Sequence, residues 1–267
     1  MENRNRNTWI IVIVVVLLLL CCCLAAALVA VAAFFPAAGS ILDVGLANMT
    51  ERSEQVVAVG EAPALEIDNF VGDLVVRSGD SGEMRFIIIR RAGSDSDLAR
   101  IDVDVSQVQD GVVITARRPG TVIGNMSVTI EAWVPAGTRL DLRTGVGDVQ
   151  VRDVRGDVAV STGTGDVDVS GAAASVALST GVGEINYQGA PAGTCTFGIG
   201  TGEIRLHLPA GANVGLVLDT GVGEIDLGGF DVRGEVRRTH VEGTIGSGAQ
   251  ATIEARAGVG DIALIRR

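Results

Sequence analysis

Lysine is absent from this chain, and all 21 basic residues are arginine. That removes Schiff-base chemistry and the lysine of a phosphate-binding loop. Basic surplus is lacking too. The formal charge is −11, and nucleic-acid binding needs a basic stripe, so no nucleic-acid partner is expected. Aromatic residues make up only 3% of the chain. A core built here must come from Val, Ile, Leu and Ala in thin layers, which suits a β repeat better than a globule with a bulky centre. Outside the run Cys21, Cys22 and Cys23 there is one cysteine, Cys195, so no disulfide framework holds the fold. The two histidines, His207 and His240, lie far apart without metal-ligand spacing, and no G-x-S-x-G nucleophile elbow is present. No catalytic residue and no cofactor is expected.

What is abundant is apolar sequence at the start and glycine afterwards. Trp9 to Phe35 contains no charged residue. It exceeds the ~20 residues a helix needs to cross a bilayer, and the ~7–15 apolar residues of a cleavable signal. Arg4 and Arg6 precede it, and the next basic residue is Arg52. The positive-inside rule then predicts a single-pass signal anchor, with the N-terminus cytoplasmic and the long C-terminal part extracytoplasmic. The cysteine run reads as small apolar membrane residues or as a lipidation site. The expected organisation is a cytoplasmic N-terminus (1–8), a transmembrane anchor (9–35), a linker (36–55), an irregular β capping region (56–143) and β-solenoid repeats (144–267).

The repeat is explicit. T-G-V-G-D starts at Thr144, T-G-T-G-D at Thr162, and T-G-V-G-E at Thr180 and Thr220; shorter variants cover Gly200–Glu203 and Gly258–Asp261. The first glycines fall at 145, 163, 181, 200, 221 and 258, so the intervals are 18, 18, 19, 21 and 37. The last is close to two repeats. Alternating apolar residues follow each motif, and period two means a strand with one face inward. Val149, Val167, Ile185, Ile204 and Ile225 are the predicted inward column. Two strands per coil with glycine turns predict an all-β fold, a β-solenoid or flattened β-roll whose coils stack at ~4.8 Å. A strand follows each G-x-G where a nucleotide fingerprint would have a helix. Upstream, strands read more loosely, as a solenoid cap would.

The segments Asp68-Asn69-Phe70-Val71-Gly72-Asp73-Leu74-Val75-Val76 and Val134-Pro135-Ala136-Gly137-Thr138, with the T-G-x-G-D/E array, resemble the bacterial "putative adhesin" family over about residues 56–267. The resemblance implies a surface protein of degenerate β repeats and brings no ligand and no catalytic residues with it.

The acid after each G-x-G gives a column: Asp148, Asp166, Glu184, Glu203, Glu224 and Asp261. At ~4.8 Å, neighbouring charges repel by roughly 0.9 kcal/mol in water. Three readings stand: solvated edge charges that prevent aggregation, a row of turn caps, or a divalent-cation ladder, whose spacing matches the nine-residue Ca²⁺ roll only in part. Thr144, Thr162, Thr180 and Thr220, with Thr201 offset, form a second column, read as a strand surface or a flat face for glycan or ice-like arrays. The expected function is a non-enzymatic, membrane-anchored surface module, adhesin-like or an envelope scaffold, whose partner is an envelope polymer, a glycan or a surface protein. The alternatives are an envelope-stress or signalling component and a carbohydrate-active enzyme, since β-helices also carry polysaccharide lyases.

Overall fold

The computed structural model describes residues 49–109, 111–118, 125–172, 174–246 and 251–267. The expected N-terminus and anchor, and most of the linker, lie outside the described residues. Nineteen strands run β1 (Met49–Ala58), β2 (Ala64–Asn69), β3 (Leu74–Ser78), β4 (Glu83–Ala92), β5 (Asp102–Val108), β6 (Gly111–Arg117), β7 (Ser127–Val134), β8 (Arg139–Val146), β9 (Val149–Arg152), β10 (Val158–Thr164), β11 (Val167–Ser170), β12 (Val176–Gln188), β13 (Gly193–Leu208), β14 (Val214–Val222), β15 (Ile225–Asp226), β16 (Val232–Val236), β17 (His240–Ile245), β18 (Ala251–Val259) and β19 (Ile262–Arg266). A one-turn helix, α1 (Asp95–Leu98), interrupts them; the Ser94 hydroxyl caps it by accepting from the Asp97 N–H. β1 starts inside the segment read as linker, and residues 48–267 form one compact unit with no break at residue 143.

The strands join into one nearly closed, barrel-like sheet. Two parallel rows make up most of it. In the first, β6, β2, β8, β10, the first half of β12, the first half of β13, β18 and β14 pair in that order. In the second, β7, β3, β9, β11, the second halves of β12 and β13, β19 and β15 do the same. Each turn of chain thus gives one strand to each row. Antiparallel strands close the ends: β5 on β6, β4 and then β1 on β7, and β17 with β16 on β14.

Spatial order departs from sequence order at both ends. The coil β2–β3 sits between β6–β7 and β8–β9. The coil β18–β19 sits between β13 and β14–β15. This accounts for the interval of 37. No repeat is skipped there; the chain makes the β16–β17 hairpin and returns to fill a slot left one coil back.

The core is a stack of registered columns. Leu74, Val149, Val167, Ile185, Ile204 and Ile262 follow one another in the second row, all buried. Four of the five residues expected in that column are buried. The fifth, Ile225, is half-buried at its end, and Ile262 stands between it and Ile204. Facing them from the first row are Leu65, Leu140, Val158, Val176, Cys195 and Ile253. Each such side chain contributes about 1.5–3 kcal/mol on leaving water. The rows meet at Tyr187 and Phe197, whose ring centroids lie 5.3 Å apart. Burial pushes the Tyr187 phenol well above its ordinary pKa range and raises that of the Cys195 thiol.

A candidate polar groove beside a self-capped corner

The T-G-x-G-D/E motif is the corner where each coil passes from the first row to the second. Its glycines are dictated by stacking. A Cβ on Gly163 would lie 2.5 Å from the Gly145 carbonyl oxygen, and one on Gly165, at φ +144°, would overlap the Gly147 carbonyl oxygen. The threonines are not a surface. Thr144, Thr162, Thr180 and Thr220 are buried. Each donates its hydroxyl to a glycine carbonyl of the neighbouring coil: Thr144 to Gly72 at 3.1 Å, Thr162 to Gly147 at 3.2 Å, Thr180 to Gly165 at 2.9 Å and Thr220 to Gly260 at 2.7 Å. Both surface readings of the threonine column, the ordinary strand surface and the flat face, therefore fail at these four positions; of the five threonines named, Thr201 alone is exposed. The preference is physical: the glycine corner leaves carbonyls that a short, β-branched hydroxyl can reach.

The acids stack at the outer side of the same corner, in the spatial order Asp73, Asp148, Asp166, Glu184, Glu203, Asp261, Glu224. Aspartate and glutamate do different work. Asp73 Oδ1 accepts the N–H of Asp148 at 3.1 Å, Asp148 Oδ1 that of Asp166 at 2.9 Å, Asp166 Oδ1 that of Glu184 at 2.8 Å, and Asp261 Oδ1 that of Glu224 at 2.9 Å. The carboxylate caps the adjacent coil and not its own turn. Glutamate, one methylene longer, turns to arginine. Glu203 takes a two-pronged bond from Arg205, at 2.9 and 2.5 Å; Glu184 pairs with a third guanidinium nitrogen, and Glu224 faces Arg238 at 3.5 Å. Among the described residues no group of three or more His, Cys, Asp or Glu is arranged to hold a metal ion.

Asp73 belongs to this column, and the segment Asn69-Phe70-Val71-Gly72-Asp73 is a disguised copy of the corner. Asn69 pairs in register with Thr144. It is buried and donates to the carbonyls of Gly72 at 3.2 Å and Val128 at 2.8 Å. Asn for Thr and Phe for Gly hide the copy from a motif search; the Gly-Asp pair followed by alternating Leu74 and Val76 was the available signal.

The second row's outward face carries a groove of ≈ 740 Å³. Asp168 and Asn186 stand in one register column, and Arg152, Ser170 and Gln188 in the next. Asp153, in the left-handed region at φ 58°, forms one lip. Arg267 reaches back over the coil of His207 to form the other: with the Gln188 amide turned so that its oxygen faces the guanidinium, the two terminal nitrogens donate to that oxygen at 3.0 and 2.9 Å. The Asn186 Oδ1 atom is buried and accepts no hydrogen bond from the protein. Such an acceptor costs about 1–3 kcal/mol until a donor reaches it. His207 is half-buried on the same face, and no ion pair or side-chain hydrogen bond joins it to an acid among the described residues. His240 lies elsewhere, against Asp219 on the β14–β17 junction, with Nδ1 2.6 Å from Oδ1.

This fold has known counterparts. A "putative cell adhesion protein" from Clostridium sporogenes ATCC 15579 matches over 81% of this chain and 100% of its own, with TM-score 0.51 and 19% identity. A "putative adhesin" from Bacteroides fragilis NCTC 9343 matches over 80% and 97%, with TM-score 0.40 and 15% identity. Another from Parabacteroides distasonis ATCC 8503 matches over 77% and 97%, with TM-score 0.32 and 12% identity. At these identities the likeness concerns the fold alone, and it rests on the first of the three. No family model and no curated protein matches the chain.

Proposed function

We propose that this chain is a membrane-tethered, non-enzymatic surface module. Its stacked coils are a short β-solenoid held outside the cytoplasm, with an adhesin-like role in binding or scaffolding the envelope. The tether is the uncharged run from Trp9 to Phe35, and the arginine bias before it supports a cytoplasmic N-terminus. Among the described residues no helix is long and apolar enough to cross a membrane; the run itself lies outside them. The observation that carries the binding role is the second row's outer face. It is a rigid lattice of polar side chains, fixed at strand spacing by parallel in-register pairing and indented by an open groove. Open, polar and unlined by aromatics, it suits repeated weak contacts with a polymer better than enclosure of a small substrate.

The test has two parts. Protease added to intact cells, or to spheroplasts where an outer membrane is present, digests the domain and leaves an N-terminal fragment. Cells carrying the full chain attach to an envelope-polymer surface better than cells lacking it. A mature N-terminus beyond Phe35 would rule out the tether, and equal attachment would rule out the adhesive role.

A further inference from the structure

We propose that the groove between Arg152 and Arg267 binds an uncharged, hydroxyl-rich saccharide segment. This rests on the binding-module reading but not on the membrane tether.

The lining carries the argument. Asp153, Asp168, Asn186, Gln188, Arg152 and Arg267 all present planar, forked groups. A carboxylate offers two acceptors, an amide one acceptor and two donors, and a guanidinium a fork of donors. Vicinal hydroxyls are the natural complement of such forks, because each hydroxyl both donates and accepts. Ionic ligands fit less well. An anion that satisfied Arg152 and Arg267 would face Asp153 and Asp168, and a cation would meet the opposite conflict. The four formal charges cancel in the groove, while the chain as a whole carries −11 and repels polyanions.

Several of these groups are uncommitted. Among the described residues Arg152 makes no ion pair, and Asp168 makes no side-chain hydrogen bond. The Asn186 Oδ1 atom also lacks a donor, and because it is buried a ligand meets it only once the side chain turns outward. Gln188, by contrast, is fixed by Arg267, so one edge of the groove is held while the floor is free to pair. Register sets the floor's spacing. Asp168 and Asn186 stand one strand apart, at ~4.8 Å, so successive sugar hydroxyls meet successive coils. No aromatic ring lines the groove, so stacking adds nothing and a single site binds weakly. Attachment then comes from many copies acting on one polymer.

The test is affinity electrophoresis of the full chain in detergent through gels holding a neutral glucan, mannan or galactan, or a polyuronate. At least one neutral polymer retards the wild type, and about 1 M NaCl, where the Debye length is about 3 Å, leaves that retardation unchanged. Asp168→Ser weakens retardation about tenfold with no change in melting temperature. Gln150→Ala, on the same face but outside the groove, has no effect. Retardation by the polyuronate alone, abolished by salt, would overturn the neutral-ligand assignment. Equal losses from Gln150→Ala and Asp168→Ser, or no retardation by any neutral polymer, would overturn the groove as the site. If cells bearing Asp168→Ser still attach to an envelope surface as wild type does, the groove proposal fails while the adhesive module stands.

Discussion

The Asp166 carboxylate accepts the backbone N–H of Glu184, one coil away, at 2.8 Å. Asp166 is exposed, yet its oxygen ties two layers of the stack together. The bond is of the kind a helix N-cap makes, transferred to the corner of a β coil. It predicts that the acceptor atom matters more than the charge. Asp166→Asn keeps an oxygen in place and relieves repulsion from its neighbours, so it should leave stability within about 0.5 kcal/mol. Asp166→Ala should lose about 1–2 kcal/mol. Urea unfolding of the two variants decides the matter, and equal losses would mean that the column acts through charge alone.

The same geometry bears on cations. Four aspartates of the column already spend Oδ1 on a neighbouring N–H, and Arg205 bridges Glu184 and Glu203 and offsets one of their two charges. What remains is an exposed row of like charges that ordinary salt can screen. NaCl and CaCl₂ at matched ionic strength should therefore raise the melting temperature equally. A Ca²⁺-specific rise, abolished by Asp166→Asn with Glu184→Gln, would instead establish a cation ladder.

Glycines of the corner and glycines of the strands should separate cleanly. Gly165 has φ +144° and no room for a Cβ against the Gly147 carbonyl, whereas nothing lies within 4 Å of a Cβ on Gly198. Gly165→Ala should cost ~3 kcal/mol or more, since the neighbouring coil must move. Gly198→Ala, in mid-strand with an open side, should be neutral or gain about 0.5–1 kcal/mol. Chemical denaturation midpoints give both numbers. A harmless Gly165→Ala would show that the coils are not stacked as closely as described.

Much of this architecture was legible because its determinants are local. The alternation at Val149–Val151 and Val167–Val169 sets strand faces, and the glycine spacing sets coil length. What was not legible is non-local. Nothing near Ile262 says that it packs beside Ile204 before Ile225, because adjacency in the stack is chosen by pairing across the chain and not by sequence distance. The threonines misled for a different reason: Thr162 continues the inward alternation of Val158 and Val160, but its hydroxyl and the glycine beside it read as surface. The groove was invisible because Arg152, Asn186 and Arg267 belong to no motif and meet only through register.

The C-terminal cap should respond to pH. His240 hydrogen-bonds Asp219, which, with smaller contributions from Glu235 and Glu242, raises the imidazole pKa above its ordinary 6.5; partial desolvation opposes this. A raised folded-state pKa gives a contribution that is fully present below the unfolded value and is lost as pH rises through the folded one. The β14–β17 junction should thus be tighter at pH 6 than at pH 8.5. Amide exchange at Val241 and Glu242, corrected for intrinsic rates, reads this locally. His240→Gln should flatten the dependence, and a dependence that persists in that variant would point to another group.

The interleaved coil yields the last expectation. β18 pairs on both edges, with β13 and β14, and β19 pairs with β13 and β15. Among the described residues β1 pairs only with β4, and β16 only with β17. Protection from hydrogen exchange follows the free energy needed to open a segment. Opening β18 breaks two ladders and exposes Ile253, Ala255 and Ala257, all buried, whereas β1 can peel from β4 alone. Residues 251–266 should therefore exchange among the slowest in the domain, at rates approaching global unfolding, while the outward amides of β1 exchange fast. Were the stack to follow sequence order, β18–β19 would form the outermost coil and fray first. Fast exchange across Ala251–Val259 would refute the interleaved order, and slow exchange there together with fast exchange in β16 would distinguish it from a uniformly rigid end.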